Sequence, residues 1–381
     1  DHRDLHSFPT RRSSDLAISH GHQASWKYGD PFVIDRAKGA YDFIEESWNE
    51  KASRVHRSKQ YLIPSLRKDM RNLANAVEGD GQMVVVYNPL PWKRSGVVSL
   101  YMGVYQKKFT VYGLKDEQTG EIIPAYNEGN YLSFTAHDVP TLGYKTYSVI
   151  TEPVSEKAHS IRVVQAENVI ENQYFKVVIS PDNGALLSVW DKKRQQEMVD
   201  TGSEYGFGEF IHEKFGNEEI ERYNKAYVKP GHHGWADPEM GRPVDSALKY
   251  EMVKGKALRI AYNQTVHSVE ATAFCRSGRG EDYTLTYTLY EDSPYMEICW
   301  GMQNKRADMQ PEGGWLAFPF NVSQPVFHLG RTGAVVNPAT DFIKRSNHDY
   351  YFLNTGMAVV DPKGRGIGLN KIGRASCRER V

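Results

Sequence analysis

The chain has 381 residues, with 47 Lys plus Arg balanced by 47 Asp plus Glu, and a mean hydropathy of −0.58. That balance leaves no basic field to recruit nucleic acid or an anionic membrane. No apolar run approaches the ~20 residues of a membrane-spanning helix.

In chain order, the two ends stand apart first. Residues 1–16 (DHRDLHSFPTRRSSDL) and residues 372–381 (IGRASCRERV) back-translate into DNA strings that are largely reverse complements of each other. Two natural termini have no reason to be so related, and the strings look like a sequencing adapter ligated to both ends of an insert. They are set aside as an expression scar would be. The natural material then reads as roughly 17–371, an open reading frame cut at both ends. The first stretch holds three Arg and three Asp, the last three Arg and one Glu, leaving 41 basic and 43 acidic residues. Cys377 falls in the last stretch. The remaining pair, Cys275 and Cys299, makes neither a disulfide framework nor a zinc-finger spacing. One disulfide is open to them; two buried thiols are the expectation, because free Cys is among the most buried residue types.

Residues 17–80 read as helical. Asp30-Pro31 is a start signal, an N-cap followed by Pro at the first helical position. Tyr41, Ile44, Trp48, Ala52 and Val55 recur at helical spacing, as do Leu66, Met70, Leu73 and Val77. Pro64 should kink or break the path between the two stripes. Asp42, Glu45, Glu46 and Glu50, with Arg54, fit solvated salt-bridge decoration. From Met83 the period changes to two. Short strands are expected at 83–87, 97–101, 108–112, 131–135 and 144–150, forming a small β-domain over 81–151. A polar linker, 152–160, follows.

The region 161–371 reads as a large antiparallel β-sandwich, making the fold mainly β with an N-terminal helical segment. Asn172 to Ile179, the turn Ser180-Pro181-Asp182-Asn183-Gly184 and Leu186 to Trp190 make a hairpin. In Tyr283 to Tyr290 (YTLTYTLY), Tyr283, Leu285, Tyr287 and Leu289 face one way and three threonines the other. Strands are also expected at 295–300 and 315–320. Between them, 202–242 reads as a long loop dense in charge, His, Gly and aromatics. Asn263-Gln264-Thr265 and Asn321-Val322-Ser323 match the N-glycosylation pattern but lie in strand-like stretches.

Three groups could carry chemistry. His20 and His22 form a possible metal pair, or sit in a surface loop; on an extended segment they point to opposite faces. His232, His233, Trp235, Asp237 and Glu239 form the densest cluster. Carboxylates with an aromatic face suit a sugar, and His with Asp suits a metal. The other reading is a loop capping the sandwich with Trp235 packed inward. Glu312, ahead of Gly313-Gly314 and an apolar strand, is either a pocket acid or a solvated turn.

The order of helices, small β-domain and large β-region resembles glycoside hydrolase family 38, the α-mannosidases. Val85 to Arg94 (VVYNPLPWKR) is similar to that family's V-x-N-P-L-x-W-x-R stretch after its helical bundle. Val139 to Tyr144 (VPTLGY), Ile170 to Val177 (IENQYFKV) and Asn183-Gly184 through Asp191-Lys192 resemble later motifs in the same order. Glu46 to Glu50 (ESWNE), Trp235-Ala236-Asp237, Gly241-Arg242-Pro243, Pro311-Glu312 and Phe318-Pro319-Phe320 resemble a divergent branch. The resemblance implies a parent whose N-terminal α/β barrel, missing upstream of Ala17, carries zinc and an aspartate nucleophile for retaining hydrolysis of α-linked sugars. It implies a galactose-mutarotase-like sandwich whose loops close over that barrel. His232, His233, Trp235, Asp237, Glu239 and Glu312 would then be substrate-binding residues. His20 and His22 would lie near a family zinc ligand, although the family's His-His-Asp motif is not there. The fragment alone should be inactive. Its partners would be a carbohydrate and the missing barrel, not nucleic acid or membrane. A non-catalytic sugar-binding sandwich and a purely buttressing domain are the rival readings.

Overall fold

The computed structural model describes residues 34–40, 42–79, 81–103, 110–155, 159–227, 248–303, 305, 311–344, 346, 348 and 351–370. The chain divides into two compact units, whose described residues lie within 34–155 and 159–370. Strand dominates the second, the first holds helix and strand in nearly equal measure, and among the described residues every strand pairing is antiparallel.

The first unit opens with helix α1 (Asp42–Asn75). Pro64 does not break the path: it lies inside one continuous helix. Its ring removes a single backbone donor, while Leu62, Leu66, Arg67 and Lys68 around it are good helix formers. Glu50 pairs with Arg54 one turn on, at 2.7 Å, and Glu45 with Arg36 at 2.6 Å. Phe43, Tyr61, Leu62 and Leu66 are exposed. Among the described residues, no helix is long and apolar enough to cross a membrane.

Seven strands follow: β1 (Met83–Asn88), β2 (Arg94–Tyr101), β3 (Gly113–Asp116), β4 (Ile122–Pro124), β5 (Tyr126–Glu128), β6 (Tyr131–Val139) and β7 (Gly143–Ile150). One sheet has the order β1-β7-β3-β4 and the other β2-β6-β5. Leu114, Ile123 and Tyr147 of the first and Leu132, Phe134 and Ala136 of the second share one buried core. Of the strand expected at 108–112, residues 108 and 109 lie outside the described residues and 110–112 are not strand; the ladder to β7 begins where Gly113 meets Ile150. Asn88, in the motif that carried the family resemblance, is 3% exposed. Its side chain donates to the carbonyls of Trp92 (2.8 Å) and Pro140 (3.0 Å) and accepts from Leu90 N–H (3.1 Å). It holds two loops whose prolines supply no donors of their own. Buried Lys145 meets Asp116 at 2.6 Å.

The second unit contains β8 (Arg162–Val164), β9 (Val169–Glu171), β10 (Phe175–Ile179), β11 (Leu186–Asp191), β12 (Gln196–Glu197), β13 (Phe210–Lys214), α2 (Asn217–Tyr227), β14 (Glu251–Lys254), β15 (Lys256–Gln264), β16 (Ser268–Arg276), β17 (Asp282–Tyr290), β18 (Met296–Gln303), β19 (Glu312–Leu316), β20 (Val326–Arg331), β21 (Ala334–Val336), β22 (Gly356–Val360) and β23 (Gly366–Asn370). The sheets run β12-β11-β10-β9-β8, β15-β16-β17-β18, β14-β13-β19 and β21-β20-β22-β23. The first two share a core. Ile170, Val177, Ile179 and Leu186 belong to one; Val269, Ala271, Ala273, Leu285, Tyr287 and Leu289 to the other. The expected alternation of β17 is therefore observed, with Tyr283, Leu285, Tyr287 and Leu289 all buried.

The β10–β11 hairpin forms as expected, with Phe175 opposite Asp191. Gly184 in its turn has φ +75°, and a Cβ there would stand 2.8 Å from Ala273 Cβ and 2.9 Å from Cys275 Sγ. Asn172, fully buried, accepts from Tyr174 N–H (2.9 Å) and Phe175 N–H (2.7 Å) and donates to Tyr290 O (2.7 Å). Three sequence expectations change here. The stretch read as loop from 202 contains β13 and α2, because Phe210, His212 and Lys214 share one strand face without an apolar alternation to announce it. The strand expected at 315–320 is β19, which starts at Glu312 and ends at Leu316. Only Cys275 is buried; Cys299 is exposed, and neither is in a disulfide.

Candidate functional site

The three-stranded sheet β14-β13-β19 carries the one sequence-predicted site residue that lies among the described residues, Glu312. His20, His22, His232, His233, Trp235, Asp237 and Glu239 lie outside them. Glu312 is on the first position of β19 rather than ahead of a strand, directly opposite Lys214. Gly314 sits opposite His212, and Leu316 opposite Phe210. Directly opposed residues share a face. That face is therefore apolar at the Phe210 end and charged at the Lys214 end.

The space beside the paired glycines belongs to the chain's own rings. A Cβ on Gly314 would stand 3.2 Å from the Phe210 ring, and one on Gly313 would stand 2.7 Å from Trp315 Nε1. Phe210 itself stacks at a tilt on Trp300, centroids 5.0 Å apart.

The charged end is a network that the sequence did not announce. The His212 side chain is 3% exposed and that of Lys214 4%. His212 Nε2 lies 3.5 Å from Glu312 Oε1, and Nδ1 lies 4.0 Å from Glu281 Oε2. Lys214 Nζ is 3.9 Å from Glu312 Oε1, and Lys305 pairs with Glu312 Oε2. Ser277 Oγ donates to Glu281 across the β16–β17 turn, and Arg279 on that turn pairs with Glu251 at 2.5 Å. The carboxylates thus bracket an imidazole whose Nδ1 makes no hydrogen bond among the described residues.

Burial is the largest influence on that imidazole. It outweighs the pull of Glu312 and Glu281 and holds His212 below its ordinary pKa. The ring is neutral at neutral pH, with one nitrogen a donor and the other an acceptor. Burial also lowers Lys214, with Arg279 adding to the effect. For Glu281, burial alone would raise the pKa. The hydrogen bond from Ser277 and the charge of Arg279 lower it.

This arrangement can accept hydrogen bonds from hydroxyls at two carboxylates and exchange a proton at a neutral imidazole. Among the described residues, no three His, Cys, Asp or Glu side chains group as metal ligands. His212 and Lys214 lay in the stretch read as loop. Their signal was the i, i+2 spacing with Phe210, weak because Glu213 interrupts it.

Comparison with known proteins gives the fold. The structure of an alpha-mannosidase from Enterococcus faecalis V583 matches 93% of this chain with a TM-score of 0.50 at 12% identity, covering 45% of its own length. A protein of glycosyl hydrolase family 38 from Enterococcus faecalis matches 86% of this chain and 44% of its own, with a TM-score of 0.44 at 11% identity. The chain thus has the fold of part of an alpha-mannosidase, and spans under half the length of the solved structures it matches. No family model and no curated protein matches it.

Proposed function

We propose that this chain is the helical linker and C-terminal β-region of a family-38-like glycosidase of the α-mannosidase type, acting on α-linked sugars. The observation that carries the reading is the fold match across 93% of the chain to an alpha-mannosidase. The same order of motifs supports it independently of the coordinates. On this reading the nucleophile and zinc belong to a barrel outside the chain. The large sandwich, mutarotase-like in this proposal, offers substrate-side residues to it. Glu312, with His212 and Lys214 beside it, is the described member of that set. His232, His233, Trp235, Asp237 and Glu239 are the others. In an intact parent zinc would hold sugar hydroxyls; within this chain Glu312 accepts sugar hydroxyls and His212 and Lys214 keep that carboxylate in place.

The test begins with the genomic DNA on both sides of the insert. The complete protein should cleave an α-mannoside, lose that activity to a chelator and regain it with zinc. The 381-residue chain should do none of this. A complete protein that carries a barrel with a zinc site and a nucleophile, yet cleaves no α-glycoside, would sink the proposal. Glu312→Gln in the complete protein should lower kcat/KM by about 10-fold or more, the loss expected for one positioned polar contact.

A further inference from the structure

The other face of the β14-β13-β19 sheet carries a second arrangement, unconnected with Glu312. There Trp315 stands opposite Ile211, Gly313 opposite Glu213, and Glu213 opposite Met252. Trp315 does not stand upright. Its Nε1, Cε2 and Cζ2 lie 2.7–2.9 Å from where a Gly313 Cβ would be, so the indole lies along the strand over the bare glycine. That brings the ring beside the position facing Glu213. Trp315 is 45% exposed and Tyr250 44%. Tyr250 Oη donates to Glu213 Oε1 at 2.5 Å, which fixes the carboxylate and pushes the phenol up to about 12. Glu213 Oε2 makes no hydrogen bond among the described residues.

The geometry points to a carbohydrate-binding platform on this face: a pyranose laid on the Trp315 indole, with its hydroxyls on Glu213 and the Tyr250 hydroxyl. The chemistry selects that occupant. A pyranose presents a flat C–H surface to an aromatic ring and hydroxyl donors at its edge. The face offers a laid-down ring and a carboxylate already oriented by a phenol. An apolar partner would leave Glu213 buried without a donor for its second oxygen, a costly outcome. A cation would find one carboxylate, too few ligands. An exposed aromatic patch rimmed by polar groups is the usual form of a ligand site. Gly313 is the specificity element, because any larger residue there lifts the indole.

The inference does not depend on the glycosidase reading, since it concerns the face opposite Glu312. The experiment titrates the 381-residue chain with α-1,2-mannobiose and methyl β-D-galactopyranoside, using saturation-transfer NMR and tryptophan fluorescence. Saturation should enter the ring C–H protons of at least one of them. Trp315→Ala and Gly313→Ala should each weaken binding at least 10-fold, and Glu213→Gln several-fold, with an unchanged circular dichroism spectrum and melting temperature. Val335→Ala, an exposed change on β21, should bind like wild type. No saturation transfer from either sugar overturns the proposal. So does binding that survives Trp315→Ala, or binding lost in Glu312→Gln alone, which assigns the sugar to the opposite face.

Discussion

Strands β13 and β17 are both inner strands of antiparallel sheets, and they bury their side chains on different terms. In β17 every second residue is apolar or aromatic and buried, and the threonines between them face outward. In β13 Phe210, His212 and Lys214 share a face and all are buried. Burial in β17 follows hydrophobicity and lowers free energy directly. Burial in β13 runs against it. A buried imidazole with an unpaired nitrogen costs stability rather than supplies it. The difference separates residues whose burial stabilises the fold from residues whose burial works against it.

The comparison can be broken at its strongest point first. Leu285→Ala empties a fully buried position and should cost about 2–5 kcal/mol, read as a lower urea midpoint. Gly184→Ala should follow at about 2–4 kcal/mol, since it combines a positive φ with contacts under 3 Å to Ala273 and Cys275. His212→Leu should do the opposite of both. It removes an unpaired polar atom at similar volume and should leave stability unchanged or raise it by about 1 kcal/mol. A loss as large as that of Leu285→Ala would mean that β13 is held by its charges after all.

Acid sharpens the same contrast, and the two units respond in different windows. His212 is held below its unfolded value of about 6.5. As pH falls below that value, the unfolded chain takes up a proton that the folded chain resists, so stability declines until the folded pKa is passed. Asp116 behaves differently. Burial alone would raise it, but Lys145 at 2.6 Å and the amides of Gln118 and Thr119 lower it. Its stabilisation is complete above the unfolded carboxylate value of about 3.9 and is lost as pH falls through the folded value. Urea midpoints measured against pH should therefore fall in two steps. The His212→Leu variant should lack part of the upper step and keep the lower one. An unaltered upper step would show that His212 is not held neutral.

What the sequence made legible follows the same division. The alternation in β17, the β10–β11 hairpin and β1 were readable because period and turn chemistry agreed. Asn88 and Asn172 entered as motif letters, and the structure gives both the same work, satisfying turn amides and carbonyls. Those motifs therefore report fold rather than catalysis. β13 was not readable, because Phe210-Ile211-His212-Glu213-Lys214 has charge on both faces and its partners come from positions 251 and 312, far along the chain. Glu312 was singled out as a pocket acid or a solvated turn, but its strand position depended on pairing with β13, which local sequence does not contain. Pro64 does not end its helix, because one missing donor among 34 residues leaves the rest of the hydrogen-bond ladder intact.

The smallest effect tests the boundary between inside and outside directly. Cys275 on β16 is buried, and burial pushes its thiol up to about 11, partly offset by the Tyr283 hydroxyl. Cys299 on β18 is exposed. The thiolate is the nucleophile, so iodoacetamide at pH 8 should modify Cys299 within minutes while Cys275 stays unmodified until urea opens the sandwich. Peptide mapping separates the two sites. The same measurement on Leu285→Ala should speed labelling of Cys275, because the Leu285 side chain and the thiol belong to one core and a cavity there lowers the free energy of opening. On His212→Leu the rate at Cys275 should not rise. A variant in β13 that exposed Cys275 as readily as one in β17 would erase the distinction between the two strands.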